Sequence, residues 1–265
     1  MKYSKTKILK AGAVLALVVV VFMSLGKFHN TICHDVQIHV EDSAEVNFIN
    51  ANIVRDMIHK KVVGIEGYKM DSINTYVLDS TLRRCAYIRK ASIYKSISGV
   101  LHIDIQQRKP MLMVLGDKQN FYIDNDAVVF PVGKDDACKC IVVNGYVKDK
   151  YDFSDGNVYS VNAHGDDSQT SDLFKLARLI MEDDFWRDQV EQIYINQLGE
   201  YELVPMVGSH LLAIGTIDNY DKKMYTLKQF YLKAMPKLGW NTYERISAKY
   251  NGQLVCTRRK NKAEL

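Results

Sequence analysis

A chain of 265 residues with 47% apolar and 25% charged side chains has the composition of a globular protein with room for one large domain or two small ones, and disorder is excluded as the default. The formal charge of +4 is confined to the amino terminus, where Lys2, Lys5, Lys7 and Lys10 meet no acid; without these four the 35 basic residues equal the 31 acidic ones. Nucleic-acid binding needs a concentrated basic footprint, and the short tail Arg258, Arg259, Lys260 and Lys262 reads as a solvated terminus instead.

From Ala11 to Gly26, AGAVLALVVVVFMSLG, no charge interrupts the sequence. With Ile8, Leu9 and a snorkelling Lys10, residues 8–26 cover roughly 28 Å at about 1.5 Å per helical residue, close to the ~30 Å hydrocarbon layer. This predicts an uncleaved transmembrane helix over 8–27 behind a cytoplasmic tail, 1–7. A cleaved secretory signal is the alternative, because Ser24-Leu25-Gly26 offers small residues, but the apolar run exceeds the roughly 7 to 15 residues of a signal core. Both readings keep the lysines cytoplasmic and export everything after Lys27.

Val36 to Val40 alternates and predicts a strand. Asn50 can cap a helix through Lys60 with Ile53, Met57 and Ile58 as its apolar stripe. Gly64 and Gly67 break the chain, and Asp71 or Ser72 can start a second helix carrying Val77, Leu78 and Leu82. ASIYKSISGVLHIDIQQ then predicts a hairpin turning at Ser98-Gly99, with Leu101, Ile103 and Ile105 on one face and His102, Asp104 and Gln106 on the other. The order is strand, helix, helix, strand, strand.

The second half is richer in sheet. FYIDNDAVVFPV predicts a hairpin around Asn125-Asp126, and IVVNGYV a short strand. Leu173, Phe174, Leu176, Ala177 and Ile180 form a helical stripe behind the caps Ser168, Thr170 and Ser171. Three strands follow, QIYIN, EYELVP and HLLAIG, joined at Leu198-Gly199 and Gly208, and then a helix from Asp221 to Lys237 ending at Gly239. Two last strands, YERISAKY and QLVCTRR, flank Asn251-Gly252, a strong two-residue hairpin signal. The fold class is therefore α+β.

No nucleophile elbow, zinc-protease helix, phosphate loop or dinucleotide fingerprint occurs. His164-Gly165-Asp166-Asp167 and Ser209-His210 are the nearest approaches to a site, and they read as a solvated loop and as neighbours that point apart in extended chain. The carboxylate pairs Asp166-Asp167 and Asp183-Asp184 need a shared cleft before they can act as acid and base. Phe185, Trp186 and Trp240 read as core aromatics. Cys33, Cys85, Cys138, Cys140 and Cys256 are an odd set without metal spacing, read as unbridged thiols with one long-range disulfide as the alternative. No catalytic residue, cofactor or metal is expected.

A basic amino terminus, one span and a strand-helix-helix-strand-strand module ending in Arg108-Lys109-Pro110 resemble the bacterial division family FtsQ/DivIB. CAYIRKASIYKSISGVLHIDIQQRKPM is similar to the family's POTRA hairpin, FYIDNDAVVFP to the hairpin after it, and FWRDQVEQIYIN, ELVPMVGSHLLAIG and ISAKYNGQLVCTRR to its β domain. Two departures stand out: the Asn125-Asp126 turn lacks the usual glycine, and Cys138 and Cys140 occupy a segment where prolines are common. The resemblance implies a POTRA domain over 33–109, a β domain over 110–259 and a tail, 260–265. It further implies a non-catalytic, bitopic divisome scaffold of the inner membrane with its bulk in the periplasm, binding the FtsB/FtsL coiled-coil pair and helping to regulate septal peptidoglycan synthesis. Other divisome proteins would meet the POTRA domain. Partner addition at the end of the β domain would use Tyr250, Asn251, Gly252, Gln253, Leu254 and Val255. An exported cell-wall hydrolase, supported by His164, Asp166 and Asp167, and a POTRA-type chaperone of protein assembly are the alternatives.

Overall fold

The computed structural model describes residues 10, 12–21, 31–41, 47–60, 64–133, 138–250 and 252–260. Residues 12–21 are helical and exposed. Among the described residues no helix is long and apolar enough to cross a membrane; the predicted span, 8–27, lies partly outside them. The chain divides into two compact units, Met1–Gln107 and Arg108–Leu265.

In the first unit β1 (Asp35–Val40) is followed by α1 (Ala51–His59), a single 3-10 turn at Met70–Ser72, α2 (Thr75–Leu82), β2 (Ile88–Lys95) and β3 (Val100–Gln107). The strands order as β1-β3-β2, with β1 parallel and β2 antiparallel to β3. Strict alternation buries Leu101, Ile103 and Ile105 of β3 against Val54, Ile58, Leu78 and Leu82 of the two helices, worth roughly 1.5 to 3 kcal/mol for each large side chain removed from water. Asn50 caps α1, its side-chain oxygen accepting from the Ile53 amide at 3.0 Å.

The stripe of α1 runs through Val54 and Ile58, not Ile53, which is 39% exposed. Positions four apart share a helix face, whereas Ile53 lies about 100° around the axis from Val54. The second helix starts at Thr75 because Asn74 caps it, accepting from the Tyr76 and Val77 amides at 3.0 and 3.2 Å. Asp71 and Ser72 are spent in the preceding turn, and Val77 points outward.

The second unit contains β4 (Pro110–Leu115), β5 (Asn120–Asp124), β6 (Val128–Pro131), β7 (Ile141–Gly145), β8 (Tyr159–Ser160), α3 (Gln169–Glu182) and α4 (Asp184–Arg187). There follow β9 (Val190–Ile195), β10 (Tyr201–Pro205), β11 (Leu211–Gly215), α5 (Tyr220–Lys233), α6 (Met235–Leu238), β12 (Tyr243–Ser247) and β13 (Val255–Arg258). Among the described residues these strands make one ten-stranded sheet, ordered β13-β12-β11-β10-β9-β7-β4-β5-β6-β8. The pairs β4/β7, β7/β9 and β11/β12 are parallel. Leu173, Leu176, Ala177 and Ile180 of α3 and Met224, Leu227 and Tyr231 of α5 share one core with Val143, Ile193, Leu203 and Leu212 of the sheet. The expected long helix breaks at Ala234, ahead of Pro236, and the short α6 completes the run to Gly239.

Two local devices set this sheet. At Gly145, where φ is 103°, a Cβ would lie 2.1 Å from the Ile195 carbonyl oxygen, so only glycine lets β7 approach β9 this closely. Arg108 of the Arg-Lys-Pro signature donates to Asp124 at 2.8 Å, with the carboxylate 2% exposed. The other Asp124 oxygen accepts from the Asp126 and Val128 amides at 2.9 Å each, fixing the β5-β6 turn. That turn places Ala127 at φ 61°, in the left-handed region where a side chain is disfavoured.

Asp124→Ala leaves a largely buried guanidinium and two amides without their acceptor, and is expected to lower the unfolding free energy by about 3 kcal/mol in a urea titration. Ala127→Gly relieves the left-handed strain, and the same titration should show a gain of about 0.5 to 1 kcal/mol.

Candidate functional site

The sheet has two borders. At one, β8 is two residues long and pairs only through Val128 and Val129, with Tyr159 packed against Tyr151 and Phe153. At the other, β13 pairs with β12 on one side, and among the described residues no strand lies on its far side. Four consecutive residues thus present half of their backbone hydrogen-bonding groups outward. Val255, Thr257 and Arg258 are exposed, while Cys256 packs against the core.

The inner strand of this border is pinned by charge. Arg245 of β12 reaches across β11 to Glu202 of β10 at 2.7 Å, and the Glu202 side chain is 6% exposed. Asn196 donates to the same carboxylate at 3.2 Å. Neither Arg245 nor Glu202 is marked by any local sequence pattern, since the contact spans forty-three positions. Only the strand order brings them together.

Around the expected Asn251-Gly252 turn, Gln253 donates to the Tyr250 carbonyl at 3.4 Å, but strand pairing reaches only Ser247 opposite Val255, so residues 248–250 and 252–254 lie outside the ladder. The chain just beyond Ser247 stays with its other neighbours before it turns back. Ala248 donates its amide to the Ala213 carbonyl at 2.9 Å, and the Lys249 stem packs over Gly215 while its ammonium pairs with Glu200. Of the predicted recognition residues, Val255 opens β13; Tyr250, Gly252, Gln253 and Leu254 sit in the loop; Asn251 lies outside the described residues. Tyr250 is 53% exposed, whereas Leu254 leans on the core.

Tyr250, Gly252 and Gln253 wall a cleft of about 390 Å³ whose opposite side carries Lys222 and Lys223 at the start of α5. Lys223 donates to the Thr216 carbonyl at 2.9 Å, and burial pushes its ammonium below the ordinary lysine range. Glu200 is held below the usual carboxylate range, chiefly by Lys249. The adjacent lysines were legible as charge but not as a wall of this cleft, because the helix and the loop meet only in three dimensions.

The other sequence candidates serve the fold. His164 Nε2 lies 2.8 Å from the Lys150 carbonyl and its ring packs on Tyr151. Asp166 offers Lys175 a backbone carbonyl. Asp183 caps α4 through the Phe185 and Trp186 amides and pairs with Lys228 at 2.7 Å, while the exposed Asp184 pairs with Arg187, so the two carboxylates do not converge. Trp186 and Trp240 both pack on Tyr231, with ring centroids 5.7 and 5.5 Å away. Among the described residues no group of three or more metal-ligating side chains occurs. None of the five cysteines forms a disulfide, and Cys140 contacts Cys138, which drives its thiol upward.

His210 is 2% exposed and shares a hydrogen bond with Tyr231. It is not paired with Ser209, whose carbonyl accepts from Arg259 just beyond β13. Its Nδ1 lacks a hydrogen bond of good geometry, although the Trp240 carbonyl lies alongside. Burial pushes the imidazole below its ordinary value, with the Arg259 charge acting in the same direction.

A three-stranded β-α-α-β-β unit followed by a ten-stranded open sheet defines a two-unit α+β class of protein. A POTRA-like domain model matches residues 31–106, and a model described as FtsQ/DivIB, C-terminal related, matches residues 109–257. The chain belongs to the FtsQ/DivIB family, whose members are non-enzymatic scaffolds of cell division. A comparison with curated proteins gives no significant match.

A histidine depressed on folding binds fewer protons in the native state, so its contribution is complete above the unfolded value of about 6.5 and is lost as pH falls through the folded pKa. Urea midpoints measured between about pH 7.5 and about pH 5 should therefore fall, and the slope should flatten in His210→Gln.

Proposed function

We propose that this chain is a bitopic, non-catalytic divisome scaffold that captures the FtsB/FtsL coiled-coil pair outside the cytoplasmic membrane and so helps to regulate septal peptidoglycan synthesis. The observation that carries the reading is the β13 border, where an added strand satisfies outward N–H and C=O groups while side-chain pockets select it. Tyr250 to Val255 are the residues assigned to this contact, Tyr250 supplying an exposed aromatic and Val255 the first edge position. The cleft behind the loop adds Lys222 and Lys223 beside the border, which favours a partner segment carrying acidic side chains.

Residues 8–27 are the membrane span, 1–7 a cytoplasmic tail and 260–265 a trailing tail, with the POTRA domain over 33–109 and the β domain over 110–259 on the periplasmic side. Support for the span comes from the uncharged run and the lysines before it. The POTRA domain is free to meet further divisome proteins.

Proline at Leu254 or Val255 removes a backbone donor at the border. In pull-downs from membranes, Val255→Pro and Leu254→Pro should reduce FtsB capture at least tenfold while circular dichroism of the detergent-extracted chain is unchanged. Undiminished capture by a folded variant would rule out strand addition at this position.

A further inference from the structure

The amino-terminal strap of the first unit is held between two other segments. The Thr31 carbonyl accepts from the Met70 amide at 2.8 Å, Cys33 donates to the Tyr68 carbonyl at 2.8 Å, and Gly67 donates to the Cys33 carbonyl at 2.7 Å. On its other side His34 donates to the Gly99 carbonyl at 3.0 Å, and a Cβ on Gly99 would lie 2.7 Å from the Ile32 carbonyl oxygen. The β2-β3 turn is itself closed, with Gly99 donating to Ser96 at 3.1 Å and the hydroxyls of Ser96 and Ser98 2.7 Å apart. Residues 31–34, 67–70 and 96–99 therefore form one end of the unit.

That end is apolar where water is expected. Ile32 is 54% exposed, Tyr68 57% and Ile97 71%. A single exposed isoleucine needs no explanation. Three large apolar side chains from three segments, one at the apex of a tight turn where polar residues normally sit, form a patch that calls for a partner.

The length of chain before the strap says which partner. Lys27 closes the proposed span, and only five residue steps separate it from Ile32, at most about 18 Å of fully extended chain. The polar headgroup layer beyond the hydrocarbon is itself roughly 5 to 8 Å thick on each side. An end tethered so closely cannot leave the neighbourhood of the headgroups, and isoleucine beside tyrosine is the chemistry of that boundary. We infer that Ile32, Tyr68 and Ile97 form a docking tip that seats the first unit on the outer face of the bilayer that holds residues 8–27. The tip rests on the membrane-anchor reading and makes no use of the β13 border. By holding the β1-β3-β2 sheet against the surface, it limits the unit's freedom to swing about its tether.

The test uses the full chain reconstituted into phospholipid vesicles, with lipids brominated near the top of the acyl chains as quenchers. The parent carries two tryptophans, which set the baseline. Ile97→Trp adds one at the tip, and Lys90→Trp adds one at an exposed position of β2, about 17 Å back along the strand from Lys95. The emission added by Ile97→Trp should be blue-shifted and quenched at least twofold, and that added by Lys90→Trp should be neither. A chain that survives alkaline carbonate extraction but shows no quenching from Ile97→Trp overturns the tip alone. Release of the chain by carbonate overturns the anchor and the tip together. A blue shift from Ile97→Trp that requires added FtsB and FtsL assigns the patch to a protein and overturns the lipid assignment.

Discussion

An open β-sheet must end somewhere, and at each end a row of backbone N–H and C=O groups has no strand to pair with. The ten-stranded sheet treats its two ends differently. Around β8 the border is two residues long and sits among Tyr151, Phe153 and Tyr159. Around β13 it is four residues long, paired with β12 through a register shift between Tyr243 and Arg245, and it carries the charge of Arg258 and the basic residues after it. Charge at an edge discourages indiscriminate pairing without removing the hydrogen-bonding groups. The proposed partner would bring both a strand and complementary acidic side chains to this border.

For this border to recognise anything, its own position must be fixed. Strand β12 is held on its inner side by parallel pairing with β11, and the Arg245 to Glu202 contact locks it to β10. Behind it, Phe185, Trp186, Tyr231 and Trp240 pack as a group of rings, and His210 and Tyr231 share a buried hydrogen bond. The early end of the β12-β13 ladder follows from the same ties, because Ala248 and Lys249 keep to β11 and Glu200. Pairing carried up to the turn would have lengthened the outer strand; instead Tyr250 lines the cleft together with Lys222 and Lys223.

Sequence reading recovered what is local. The period-two pattern of β3, the β2-β3 and β5-β6 hairpins and the caps at Asn50 and Ser168 all depend on neighbours within a few positions. It could not reach the parallel pairings β1/β3, β4/β7, β7/β9 and β11/β12, because nothing in either strand names its partner. Around Asn251-Gly252 the turn bond from Gln253 to Tyr250 was legible, but where the ladder stops was not, because Ala248 and Lys249 are held by β11 and Glu200. The offset between Ile53 and Val54 is of the same kind: α1 has two apolar flanks, and the sheet beneath it chose one. The Arg108-Lys109-Pro110 signature was recognised, yet its work, an ion pair with Asp124 under the next hairpin, became visible only in the fold.

Amide hydrogen exchange on the full chain, with and without FtsB and FtsL, tests strand addition at β13 most directly. Strand addition requires exchange at the outward amides of Cys256 and Arg258 to slow at least tenfold when the partner pair is bound, the Arg259 amide being already turned to Thr242 of the inner side. Bound partner with unchanged exchange across these residues, and protection elsewhere in the second unit, would contradict it.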